Sequence, residues 1–157
     1  MKIEIDYNAL YENVTALVDE NDWIISNLSN AASAMFDGIN DINWIGFYIV
    51  RNSRLELGPF IGRPACVRIP VGNGVCGTAV ALKSTMLVPD VHQFPGHIAC
   101  DEDSRSEIVV PIKYGGRVVG VLDVDSPVLN RFGEKEQLFF ESVARYIEKV
   151  WQEDING

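Results

Sequence analysis

Basic charge, cysteine and long apolar runs are all scarce in this 157-residue sequence. Its 13 Lys and Arg face 22 Asp and Glu, for a net charge of −9. So acidic a chain has no positive field to draw in a phosphate backbone or an anionic bilayer. Neither nucleic acid nor a membrane is therefore an expected partner. No apolar run reaches the ~18 residues of a membrane span. The opening MKIEIDYNALYENV has no apolar stretch leading to a cleavage site. The expected location is the cytoplasm. There are three cysteines, Cys66, Cys76 and Cys100. An odd count in a reducing compartment argues against a structural disulfide framework. It leaves two readings, buried small apolar residues or reactive thiols.

What is present describes one domain. At roughly 100–200 residues per domain, residues 1–157 make a single unit. A hydrophobic content of 47% supplies a core without help from disulfide or metal. In residues 6–19, Tyr7, Leu10, Tyr11, Val14, Leu17 and Val18 recur at helical spacing, with Asp6 as the predicted N-cap. A second helix is predicted from Asp22 to Gly38, its apolar face made by Trp23, Ile24, Leu28, Ala31, Met35 and Phe36. The period then changes to two. Strands are predicted at 43–50, 55–61, 66–70 and 85–90, with a short helix in GVCGTAVALK between the last two. Residues 91–104 read as a long polar loop. The runs 106–114 and 117–126 flank Gly115-Gly116 as a β-hairpin. From Gly133 a last helix presents Leu138, Phe139, Val143, Ile147, Val150 and Trp151. This order gives an α+β fold with a central antiparallel sheet between N-terminal and C-terminal helices. Surplus apolar surface on those helices suits a homodimer.

Four groups of residues could carry chemistry. Cys66, Cys76, Cys100, His92 and His97 offer metal donors, but they lack the short paired spacing of structural zinc. Cys76 follows a Gly-rich turn at the start of a helix, where the helix dipole favours a thiolate. Cys100 is followed by Asp101, Glu102 and Asp103, which oppose one. Local charge alone therefore favours Cys76 as the nucleophile. Asp123 and Asp125 lie two apart in a strand and share a face, with Glu107 on the partner strand. They form either a solvated edge or a receptor for an ammonium group. Close carboxylates also raise one another's pKa, which leaves a proton donor. Trp44 and Tyr48, four apart on one strand, form either core or an aromatic wall.

GPFIGRPAC (58–66), GNGVCGTAV (72–80), VPDVHQFPGHIACDEDSRSEIVVPI (88–112) and GVLDVDSP (120–127) together resemble the free methionine-(R)-sulfoxide reductases, single-GAF-domain enzymes. The resemblance runs over about residues 40–130, and each cysteine falls in its own motif. It implies a GAF-like fold and reduction of free methionine R-sulfoxide. It assigns the nucleophile to Cys100 of GHIAC, against the local-charge preference. Cys76 is implied as the main resolving residue, with Cys66 as the secondary one. Thioredoxin is the implied reductant, and neither metal nor organic cofactor is implied. The resemblance makes Glu107, Asp123 and Asp125 the substrate carboxylates, with Asp123 nearest the sulfoxide oxygen. Trp44 and Tyr48 then enclose the methyl-thio end. The rival readings are a GAF sensor and a thiol redox sensor, both without turnover.

Overall fold

The computed structural model describes residues 4–97 and 102–157. The N-terminal helix α1 (Tyr7–Ala16) starts where Asp6 accepts a hydrogen bond from the Ala9 N–H, as its predicted cap requires. Helix α2 (Ile24–Gly38) leads into the sheet. Strands β1 (Trp44–Arg51) and β2 (Arg54–Ile61) are joined by Asn52 and Ser53, both in the left-handed region. This is the conformation a two-residue hairpin turn needs. After β3 (Arg68–Pro70) comes helix α3 (Gly74–Leu82), then β4 (Met86–Val88) and a 3-10 turn at Val91–Gln93. Strands β5 (Ser106–Tyr114) and β6 (Arg117–Ser126) form the predicted hairpin, with Gly115 at φ 61° and Gly116 at φ 78°. The C-terminal helix α4 (Glu134–Lys149) opens with the Glu136 side chain accepting from the Gly133 N–H.

The six strands run β3-β2-β1-β6-β5-β4, with every neighbouring pair antiparallel. The α+β expectation, a central antiparallel sheet with terminal helices, is what the structure contains. Alternation along the central strands separates two cores. Ile45, Phe47, Leu122, Val124, Ile108 and Val110 pack with residues of α1, α2 and α4. Trp44, Tyr48, Val109 and Val121 face the other way and pack with Val75, Cys76 and Ala79 of α3. Among the described residues, no helix is long and apolar enough to cross a membrane.

Three helix faces differ from the sequence expectation, the first in α1, where Leu17 lies past the helix end and is 48% exposed. Trp23 is extended, sits outside α2 and is 66% exposed. Leu138 is 59% exposed, because the inward stripe of α4 is Phe139, Phe140, Val143, Ala144 and Ile147. The rest of the expected stripe, Phe139, Val143, Ile147, Val150 and Trp151, is buried, and Phe140 and Ala144 join it.

Candidate active site

The site lies on the α3 side of the sheet. In β6, Asp123 and Asp125 point to this side, while Val124 enters the opposite core. Register then sets their neighbours. Glu107 of β5 pairs with Asp125, and Trp44 of β1 pairs with Asp125 from the other side. Gly46 stands opposite Asp123. A Cβ at Gly46 would come within 2.4 Å of the Phe60 Cβ and 2.7 Å of the Trp44 ring. Lacking one, the strand lets Trp44 lie flat between Tyr48 (6.0 Å between centroids) and Phe60 (5.4 Å).

The polar ends of this wall hold the segment that carries Cys66. The Tyr48 hydroxyl donates to the Cys66 carbonyl at 2.8 Å, and the Trp44 indole N–H donates to the Arg63 carbonyl at 3.2 Å. Opposite, α3 is seated so closely on the turn before it that a Cβ on Gly77 would meet the Pro70 carbonyl at 2.5 Å. Cys76, in the first turn of α3, lies beside Asp123 and Glu107.

Trp44, Tyr48, Cys76, Glu107, Asp123 and Asp125 therefore line one cavity of about 50 Å³. Asn73, His97, Ser104 and Ile69 complete much of its wall. Cys66 is disulfide-bonded, and Cys76 is a free, buried thiol. The expected nucleophile, Cys100, lies outside the described residues.

Electrostatics reverse one expectation. Burial pushes the Cys76 thiol well above the usual range, and Asp123, Glu107 and Asp125 push it further. The helix N-terminus does not yield a low-pKa thiol here, because desolvation and three carboxylates outweigh it. Burial likewise holds the Glu107 carboxyl well above the carboxylate range, with Asp123 and Asp125 adding to the effect. Asp123 is raised by burial, but hydrogen bonds with Glu107 and Cys76 favour its charged form. The hydrogen bond between the two favours a protonated Glu107 and a charged Asp123. The Asp123 Oδ1 has no hydrogen-bond partner, although the residue is only 5% exposed. His97, at the rim, is shifted down by burial and by His92.

The GAF domain family matches residues 15–151. The free methionine-R-sulfoxide reductase of Escherichia coli is 44% identical over 145 residues, 92% of this chain and 84% of that protein. The reduced fRMsr of Staphylococcus aureus superposes with a TM-score of 0.91 at 45% identity, covering 96% of this chain and 99% of that one. The free methionine-R-sulfoxide reductase of Neisseria meningitidis, in complex with its substrate, superposes at 0.89 and 41% identity, covering 92% and 87%. This chain belongs to the free methionine-R-sulfoxide reductase family. Its members use a GAF domain, and the cavity above is where this chain concentrates its reactive groups.

Within this family member, sequence reasoning missed the residues that complete the wall. Asn73, Ser104 and Ile69 sit in loops or a three-residue strand, where no period marks a face. Phe60 had a signal, since a glycine inside an aromatic strand marks a close approach. Among the described residues, Cys66, Cys76, His92 and His97 form no cluster of metal donors. His92 is 68% exposed and pairs with Asp90, and Cys66 is taken up in its disulfide. Among the described residues, the group whose donor atoms do converge is Cys76, Glu107 and Asp123, all within 4.8 Å of one another.

The raised Glu107 pKa has a measurable consequence for stability. Below the ordinary carboxylate range the folded and unfolded chains both hold the proton, and nothing is lost. Above it the unfolded chain ionises while buried Glu107 keeps its proton, so stability falls as pH rises toward the folded pKa. Glu107→Gln removes that penalty. Thermal melts between pH 5 and 8 should show a higher Tm for the variant, with the gap widening as pH rises. Each kcal/mol recovered corresponds to about 2–4 °C at this chain length. A gap that narrowed with rising pH would mean that Glu107 is ionised in the free protein.

Proposed function

We propose that this chain reduces free methionine R-sulfoxide to methionine. The observation that carries the reading is the cavity where an aromatic wall, a thiol and three carboxylates meet with no Lys or Arg among the described lining residues. An α-ammonium suits the acidic side of this cavity, and the methyl-thio end lies against Trp44 and Tyr48. The substrate named for the Neisseria relative fits those features.

The chemistry is proposed as follows. The Cys100 thiolate attacks the sulfoxide sulfur while a carboxyl proton passes to the oxygen. Methionine then leaves, and Cys100 becomes a sulfenic acid. A second thiol attacks the sulfenic sulfur, releasing water and forming a disulfide. A dithiol of the thioredoxin class then reduces that disulfide by exchange. We assign the second thiol to Cys66 rather than Cys76, reversing the sequence expectation. Its support is that Cys66 is disulfide-bonded while Cys76 remains a free thiol, buried and held protonated. We also move the proton-donor role from Asp123 to Glu107, the carboxyl that keeps its proton. Asp123 and Asp125 then face the ammonium. A cavity of about 50 Å³ holds only on the order of one or two waters, so the amino acid enters after the disulfide is reduced.

The reading includes a cytoplasmic setting, where thiols are regenerated between turnovers. It also includes a homodimer through the terminal helices, supported by the exposed Leu138 beside Ile5, Tyr7 and Tyr11.

The test is an assay of methionine formed from free methionine sulfoxide, racemic at sulfur, with dithiothreitol as reductant. The reaction should stop near half conversion, leaving the S form. Conversion of both forms, or of neither, overturns the reading. The two sensor readings predict no dithiol-dependent turnover at all.

A further inference from the structure

Cys76, buried beside Glu107 and Asp123, has no part in the reaction proposed above. We infer that these three residues form a binding site for a divalent cation of the zinc class, and that the cation and the substrate exclude one another. Four observations support this. The Sγ of Cys76 and one oxygen from each carboxylate already lie within 4.8 Å of one another. Tetrahedral donors at ordinary zinc distances stand roughly 3.3–3.8 Å apart, so rotamer adjustment suffices to close the set. All three residues are buried, at 4% exposure for Cys76, 7% for Glu107 and 5% for Asp123. The Asp123 Oδ1 is buried without a hydrogen-bond partner, a ligand atom already stripped of water. Finally, no Lys or Arg among the described lining residues balances the carboxylates.

The donor set selects the metal. One thiolate with two carboxylates suits zinc, and cobalt(II) as its spectroscopic substitute. Magnesium and calcium prefer oxygen alone. Three protein ligands leave a fourth position, and a cavity of about 50 Å³ accommodates a water there. Binding is balanced by proton release. Any ligand that carries a proton releases it to solvent as the cation enters, so binding strengthens as pH rises. The free state of Cys76 while Cys66 is disulfide-bonded means that the site persists in the oxidised protein. The cation would thus hold the enzyme in a resting state until a chelator or the incoming substrate displaced it. This last consequence rests on the function proposed above, whereas the site itself does not.

The experiment uses the full chain, oxidised and stripped of metal, and reads binding without turnover. Zn²⁺ titrated by calorimetry in two buffers of different ionisation enthalpy should bind one per chain with release of protons. Co²⁺ should give a tetrahedral visible spectrum with a thiolate-to-metal band in the near ultraviolet. Mg²⁺ should compete with neither. Cys76→Ser should abolish the thiolate band, and Asp123→Asn should weaken Zn²⁺ by more than about 100-fold, beyond the usual effect of losing only a supporting group. No thiolate band in the wild-type protein overturns the site, whatever the variants do. Zn²⁺ binding unchanged in both variants overturns it as well. If Zn²⁺ binds as described yet leaves methionine sulfoxide reduction by the reduced protein unaffected, the metal site stands. The mutual exclusion, and the placement of substrate in this cavity, then fall.

Discussion

Replacing Cys100 with serine is expected to abolish methionine formation, including the first turnover of pre-reduced protein. The loss in kcat should be at least ~10³-fold, the scale seen when a covalent enzyme loses its nucleophile. Cys66→Ser should behave differently. It retains the attacking thiol, so it should release about one methionine per subunit and then stall with thioredoxin. Cys76→Ser should continue to cycle with thioredoxin, because the buried thiol is not the one engaged in the disulfide. Rapid-quench measurement of methionine per subunit, with and without thioredoxin, separates the three variants. A Cys76→Ser protein that failed in its first turnover beside an active Cys100→Ser protein would return the nucleophile to the buried thiol.

Blocking the substrate's amino group should cost nearly as much. In N-acetyl-methionine sulfoxide the ammonium becomes a neutral amide, and Asp123 and Asp125 lose the charge they are proposed to bind. A hydrogen bond to a charged group contributes roughly 1.5–3 kcal/mol, and an unpaired buried charge costs more. Since 1.4 kcal/mol is about tenfold, kcat/KM should drop at least tenfold for the acetylated form. Asp125→Asn should raise KM for the free amino acid and narrow its advantage over the acetylated one. Glu107→Gln should lower kcat with less effect on KM, because it removes the proton destined for the sulfoxide oxygen. Equal kcat/KM for the two substrates in the wild-type enzyme would mean that the carboxylates do not read the ammonium. Paired with its expected gain in Tm, Glu107→Gln would exchange activity for stability at one residue.

Local rules were enough for much of this architecture. Gly115-Gly116 between two alternating runs fixed the β5–β6 hairpin, because a two-residue turn with positive φ demands such residues. The same period of two placed Asp123 and Asp125 on one face and Val124 on the other. What was illegible depended on contacts distant in sequence. Helix α3, GVCGTAVAL, is apolar on every side, so its sequence names no inward face. Nothing in the residues around Cys76 foretells that Asp123, 47 positions later, will meet its thiol. The pKa expectation for Cys76 failed for that reason, since a helix N-terminus is local and desolvation is not. Trp23 and Leu138 failed at helix margins, where one residue of phase decides between core and solvent.

The single sheet of this protein is also a partition. Helices α1, α2 and α4 and their aliphatic contacts occupy one side, and the acids, thiol and aromatic wall occupy the other. Adjacent residues of one strand therefore answer to different selective pressures. Val124 packs in the helical core, and Asp123 and Asp125 line the cavity. A lineage built on this plan can exchange what its cavity recognises, or abandon catalysis altogether, while the helical side keeps the chain folded. Evolvability of that kind comes from the two-residue alternation of a β-strand, which lets neighbouring codons drift independently.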